Sequence, residues 1–503
     1  MVKYLLLFLV TAVFANCHSG EETSKKYTHA LTLEQHEQID LGRIDEWPSV
    51  NNKLTRPHFI LGMKYLHNFM YELARVEFQY STSLDPNFAL GYWGELMTYK
   101  QPLWAYENRE AALKVIDKLT KTVDIKKLSK LEKDLLAAMK ILYTQPKNDY
   151  KYMLAMQKIA KNNSENIDLQ ALYALSVIGH VQQNLEREYI DVSRDLLKKL
   201  FERNPYHPGV LHYMIHAFDT YDVSVAKQAL VAASNYLDAA QDSSHGSHMP
   251  SHIYLRLGMW EKAALSNQLS VSASNEICKK YGIDEYWCDA ENKYHSIEWL
   301  HYSYLQMGLF SRARELVGVL KKIISIDSSM IYKQWYFAML ARQILAENIK
   351  IKPYLPLKIA TAGSNLFQTA NIECNLLAVI GMRAEKGFDK DIRQIRSRIN
   401  EIMDLVKGEK NPSSYMICSL ALMQLDADLL YDKGEHKKAF ELLNNAKHLE
   451  KDIRNLPKKP ELPFLITNEK LIELLKKSGH DDLARKAYIE HLREYFNKDI
   501  VVD

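Results

Sequence analysis

Six histidines fall on one helical register. His245, His248 and His252 lie 13, 10 and 6 residues before Gly258, and His295, Glu298 and Tyr302 lie at the same offsets before Gly308. Just upstream, His212, His216 and Asp219 run at steps of 4 and 3. Such steps put side chains on one face of an α-helix, so three neighbouring helices would present parallel stripes of imidazole and carboxylate. With 18 histidines among 503 residues, nine such slots would hold about 0.3 histidine by composition, and they hold six. Neutral imidazole is a ligand for Zn, Cu and Fe, and two His at i, i+4 can share one ion.

The register therefore implies a divalent transition-metal site (Cu, Zn or Fe) with His212, His216, His248 and His252 as a four-imidazole set. His245 and His295 are further metal ligands on the same faces. Asp219, Glu298 and Tyr302 are the candidate catalytic groups, as general base, orienting residue or cavity wall. An open coordination position would admit a substrate, the layout of a catalytic metal. The competing expectation is metal-free: a groove whose imidazoles bind a small molecule or peptide through its carboxylate or phosphate, as a scaffold of the cell envelope.

Composition narrows the class. The chain is 47% hydrophobic and 25% charged with a formal charge of +3, which fits a folded protein and gives no basic stripe for nucleic acid. Only 18 Gly and 14 Pro punctuate it, and strand-like alternation is absent, so it reads as nearly all-α. A Gly-rich phosphate loop, a Gly-x-Ser-x-Gly elbow and a His-Glu-x-x-His motif are all missing.

Lys3 followed by the apolar run Tyr4 to Phe14 reads as a secretory signal peptide over 1–16, too short to span a bilayer. Cleavage after Ala15 fits a Val-x-Ala site. Cleavage one residue later would leave Cys17 for lipidation, the one membrane attachment the sequence offers, although Asn16 departs from the usual small residue. Export makes Cys278 and Cys288, which flank a Gly-containing connection, candidates for a disulfide.

A second periodicity organises the chain. Gly258-Met-Trp260-x-x-Ala263 recurs as Gly308-Leu-Phe310-x-x-Ala313, as Gly434-Glu-His436-x-x-Ala439, and more weakly from Gly479 to Ala484. Tyr71-x-x-Ala74-x-x-x-Phe78 before Leu84-Asp85-Pro86, and Asn204-Pro205, close further helices. The pattern resembles the tetratricopeptide repeat family. Ala89 to Tyr99, His207-Pro-Gly-Val-Leu-His-Tyr-Met-Ile-His-Ala217, His248-Met-Pro-Ser-His-Ile-Tyr254 and Tyr294 to Tyr302 are similar to segments of exported bacterial members, over roughly residues 55–320. Such members often read Tyr-Asn-His-Pro-Leu-Trp where this chain has Tyr99-Lys-Gln-Pro-Leu-Trp104, so Gln101 stands in a histidine's place.

The resemblance implies a right-handed α-solenoid of helical hairpins with irregular spacer helices at 105–200 and 330–430. The expected organisation is a linker over 17–50, a repeat array carrying the His-rich groove over 51–330, and further helical repeats over 331–503. His67 and Glu95 are weaker site candidates. His58 and His207, each beside a proline, read as helix-start or packing residues.

Overall fold

The computed structural model describes residues 29–496 apart from short stretches, the longest at 354–357, 361–365 and 457–465. The expected signal peptide and Cys17 lie outside the described residues. Helices follow one another from Leu33–Glu37 to Asp481–Phe496. The paired strands among the described residues are Lys100–Gln101 and Tyr106–Glu107, so Gln101 sits in a hairpin tip. No described helix is long and apolar enough to cross a membrane.

The Gly-x-aromatic pattern is a helix-stop device. Gly258, Gly308, Gly434 and Gly479 all have positive φ, between 64° and 81°. At each one the glycine N–H bonds a carbonyl three residues back, and the next N–H reaches five back, as in Met259 N to Tyr254 O at 2.8 Å. That is a Schellman cap, which needs a left-handed residue and turns the chain into the next helix. Hairpins closed this way stack in sequence. Trp260–Tyr281 packs on Ala290–Gln306, which packs on Phe310–Ile326, which packs on Met330–Ala346. Separate apolar clusters run along the C-terminal half, each shared by successive hairpins, such as Leu376, Ile399 and Leu425 in one and Leu443, Leu474 and Ala484 in another. The architecture is an all-α, tetratricopeptide-like solenoid.

Two departures matter. Helix Arg56–His67 also touches helix Pro208–Phe218, far away in sequence, so the array curls back on itself near the histidines. Within the range expected as a linker, the described residues Leu31, Leu41, Trp47 and Val50 are buried. The Trp47 indole N–H donates to Asp168 Oδ2 at 3.0 Å, and the Leu31 N–H donates to Glu77 Oε1 at 3.0 Å.

Two disulfides are present among the described residues. Cys278–Cys288 pins the end of helix Trp260–Tyr281 to the approach to Ala290–Gln306, as expected. Cys374–Cys418 ties helix Leu366–Met382 to Ser413–Asp432 and had no signal in the spacing.

Candidate metal centre

Three elements carry the histidines. Helix Pro208–Phe218, with Pro at its first turn, holds His212 and His216. The middle rod loses one ladder bond at Pro250, which has no N–H, while Met249 keeps helical dihedrals of φ −53° and ψ −39°. Helix Ser244–His248 ends there and Pro250–Arg256 begins, so His245 and His248 sit on one piece and His252 on the other. Helix Ala290–Gln306 supplies His295.

The six imidazoles gather as two trios rather than around a single four-imidazole point. The ligand atoms of His212, His216 and His245 lie within 4.8 Å of one another, and so do those of His248, His252 and His295. The pairing of His212 and His216 with His248 and His252 expected from sequence is thus divided between two neighbouring sites. His212 Nε2 is 3.1 Å from His216 Nε2 and 3.1 Å from His245 Nε2. His248 Nε2 is 3.1 Å from His252 Nε2. Two nitrogens about 2.05 Å from one tetrahedral ion stand about 3.3 Å apart, so the spacing suits shared coordination.

Tautomers follow from the other ring nitrogens. A neutral imidazole has one N–H and one lone pair. His212 Nδ1 lies 2.6 Å from the His67 carbonyl oxygen, which only accepts. His252 Nδ1 lies 2.9 Å from Asp219 Oδ2. His248 Nδ1 lies 2.7 Å from Asn267 Oδ1, and Asn267 Nδ2 donates to the Ala263 carbonyl, which fixes the amide's orientation. All three histidines donate from Nδ1 and turn Nε2 lone pairs inward. Burial pushes His212 and His295 down to about 3, and it holds His216, His245 and His248 well below the ordinary imidazole range. Neutral rings are what a metal ion requires.

Each trio has an aromatic plate. Phe69 lies 4.2 Å from His212 and stacks at 5.7 Å on His216, ring centre to ring centre. Trp299 lies 4.2 Å from His252 and 5.1 Å from His248. One ring in each trio, His216 and His295, stays half-buried, while the other four are buried. Behind Phe69 an apolar pocket opens, lined by Leu66, Tyr71, Met97, Leu142, Tyr152 and Leu172.

The expected catalytic groups are each held by neighbouring side chains. Asp219 backs His252 through Oδ2 and accepts from Arg256 Nε through Oδ1 at 2.6 Å, which makes it an orienting residue. Burial would raise its pKa, but Arg256 and His252 hold the carboxyl below the usual range. Glu298 accepts from Arg342 Nη1 at 2.7 Å. Tyr302 is buried beside Trp260 with the Arg342 guanidinium over its ring, and burial raises its hydroxyl pKa.

A third cluster, His67, Asp168 and His207, is of a different kind. Asp168 Oδ1 accepts from His67 Nε2 at 2.7 Å and from His207 Nε2 at 3.0 Å. The Tyr213 hydroxyl meets His67 Nδ1 at 3.0 Å, and the Val210 N–H donates to His207 Nδ1, so His207 caps its helix. Donors there face acceptors throughout, so it is a buried strut. His58 donates likewise to Glu77 at 2.7 Å, and Glu95 accepts from Gln79 and Tyr99. Sequence reasoning missed Asn267, Arg256, Asp168 and Phe69. For Phe69 a signal existed, since Phe69-Met-Tyr71-x-x-Ala74 puts phenylalanine in the glycine slot of the turn motif.

No family model matches the chain, and a search of curated proteins returns no match. Among solved structures it is similar to yeast Tom70, at 11% identity over 87% of this chain and 90% of that one with a TM-score of 0.31. It is also similar to the human IFIT1 dimer with m7Gppp-AAAA, at 12% identity over 94% and 99% with a TM-score of 0.35. The APC/C hetero-tetramer Cut9-Hcn1 shares 12% identity over 90% and 89% with a TM-score of 0.31. Superpositions this loose carry no functional argument.

Proposed function

We propose that this chain is an exported, metal-binding helical-hairpin protein whose functional site is the pair of histidine trios. One observation carries the reading. His248 and His252 each donate from Nδ1 to a fixed acceptor, yet their Nε2 atoms stand 3.1 Å apart. Two inward lone pairs at that distance repel unless a cation lies between them. An all-imidazole donor set suits copper, zinc or iron. The two disulfides support an oxidising compartment, in keeping with the apolar N-terminal segment.

Asp219 and Asn267 hold the rings from behind, as outer partners of metal ligands do. Asp219, Glu298 and Tyr302 are engaged in this framework, and the reading assigns them positioning rather than proton transfer. A small molecule that takes an open coordination position at His216 or His295 is the substrate or ligand class that fits.

A second reading has its own support. A proton can occupy the gap between the His248 and His252 Nε2 atoms in place of a metal. The array would then be a metal-free scaffold that binds a peptide or protein, an ordinary use of stacked hairpins. Metal analysis of dialysed protein separates the two. Retained metal that is lost in the His212→Ala/His252→Ala variant supports the first reading, together with a melting temperature that falls on adding chelator. Metal-free protein indifferent to added zinc or copper supports the second.

A further inference from the structure

The trios touch. His216 and His252 have ring centres 6.0 Å apart, as do His245 and His248, so each trio has one ring against each of two rings of the other. His245 and His248 belong to a single short helix, which fixes that separation covalently. We propose that the two trios form one two-ion centre, in which each trio holds a copper ion and the two ions share a small bridging anion. This rests on the metal-binding reading above and deepens it.

Donor chemistry selects the ion. All six facing groups are imidazole. Cys278, Cys288, Cys374 and Cys418 are tied up in disulfides and offer no thiolate. Asp219 and Glu298 are held by Arg256 and Arg342. Among divalent ions an imidazole set binds copper most tightly.

Charge selects the bridge. Six neutral imidazoles contribute no negative charge, and the nearest carboxylate, Asp219, is already neutralised by Arg256. Two divalent ions would place four positive charges in a buried site, and uncompensated buried charge is costly. An anion between the trios faces both ions at once and reduces that cost most. His216 and His295 are the half-buried members of their trios, the other four rings being buried. Hydroxide fills the role in water, and azide is its probe.

The full chain, stripped of metal by chelator, is titrated with copper(II), desalted and analysed for copper per chain. It is then examined by electron paramagnetic resonance with and without azide. The expected result is two coppers per chain, with a resonance intensity well below the copper content because bridged ions pair their spins. His245→Ala and His295→Ala should each leave one copper at full intensity. One copper per chain in the wild type overturns the two-ion centre and leaves the metal-binding reading standing. Two coppers at full intensity in both conditions also overturn it, since the ions then sit apart without a bridge. No retained copper overturns both readings. The wild-type copper count and spin need no variant, so a misfolded variant does not blunt the test.

Discussion

Phe69 meets His212 ring to ring, 4.2 Å between centres, from a backbone position that phenylalanine rarely takes. Its φ is 54°, and its hydrogen bonds repeat the cap seen at the glycine turns: Phe69 N to Leu66 O and Met70 N to Tyr65 O. Left-handed geometry costs an L-residue about 1–2 kcal/mol. Strain of this sort persists where the surroundings over-determine it, and here the ring roofs the first trio and walls the apolar pocket.

Phe69→Gly relieves that strain but removes a buried ring, a loss of about 3–5 kcal/mol. The expected net destabilisation in urea unfolding is about 2–3 kcal/mol, smaller than for an unstrained core phenylalanine, with faster metal release to chelator. Unchanged stability and release would show that the ring neither packs nor roofs.

Asp219→Asn keeps the shape but weakens the hold on His252 and leaves Arg256 without its carboxylate. Loss of such an outer partner typically costs 10–100-fold in metal affinity. Calorimetric titration should show that loss for the ion at His248, His252 and His295, with the first trio's ion little changed. An equal loss at both would mean that Asp219 acts through the fold instead.

Acid should unfold the metal-free protein early. His212 and His295 titrate near 3 in the fold, against about 6.5 when unfolded. Their folded values are depressed, so the unfolded state binds more protons between those limits. Their contribution is fully present above about 6.5 and is lost as pH falls towards 3. Asp168 adds to this at lower pH: burial raises its pKa, but bonds from His207 and His67 outweigh that and hold it low. Urea midpoints measured from pH 7 to 4 should fall steadily, and a flat profile would contradict the buried neutral rings.

Much of this was legible in the residues. The turn glycines announce the hairpins because a left-handed cap has few alternatives, and the 13, 10 and 6 offsets put four imidazoles on facing helices, with His212 and His216 added by their i, i+4 step. The split into trios was not legible, since it depends on how the neighbouring helices lie against the middle rod: it parts His245 from His248 on one helix and joins His248 to His252 across Pro250. Nor was the Asp168 strut, whose partners His67 and His207 lie 101 and 39 residues away. No local pattern encodes such pairs. The Cys374–Cys418 bridge was hidden for the same reason.

That bridge closes 44 residues, and loop entropy puts its worth at about 4 kcal/mol. Cys374→Ser/Cys418→Ser should lower the melting temperature while leaving metal content unchanged, because the bridge lies outside the histidine helices. Loss of metal in that variant would show that the two halves of the array are coupled.

Trp299 offers an optical reporter. Its ring centre is 4.2 Å from that of His252, so copper at the second trio should quench it. Trp299→Phe should remove most of the copper-dependent fluorescence loss. Quenching that survives undiminished would place the copper elsewhere, Trp335, with its ring centre 6.4 Å from that of His295, accounting for a remainder.

X-ray absorption at the metal edge of copper- or zinc-loaded protein tests the central claim most directly. The account requires a first shell at about 2.0 Å with about three imidazoles per ion, marked by the ring's outer scattering. An oxygen-only shell, or metal that washes away before the spectrum is taken, would contradict it.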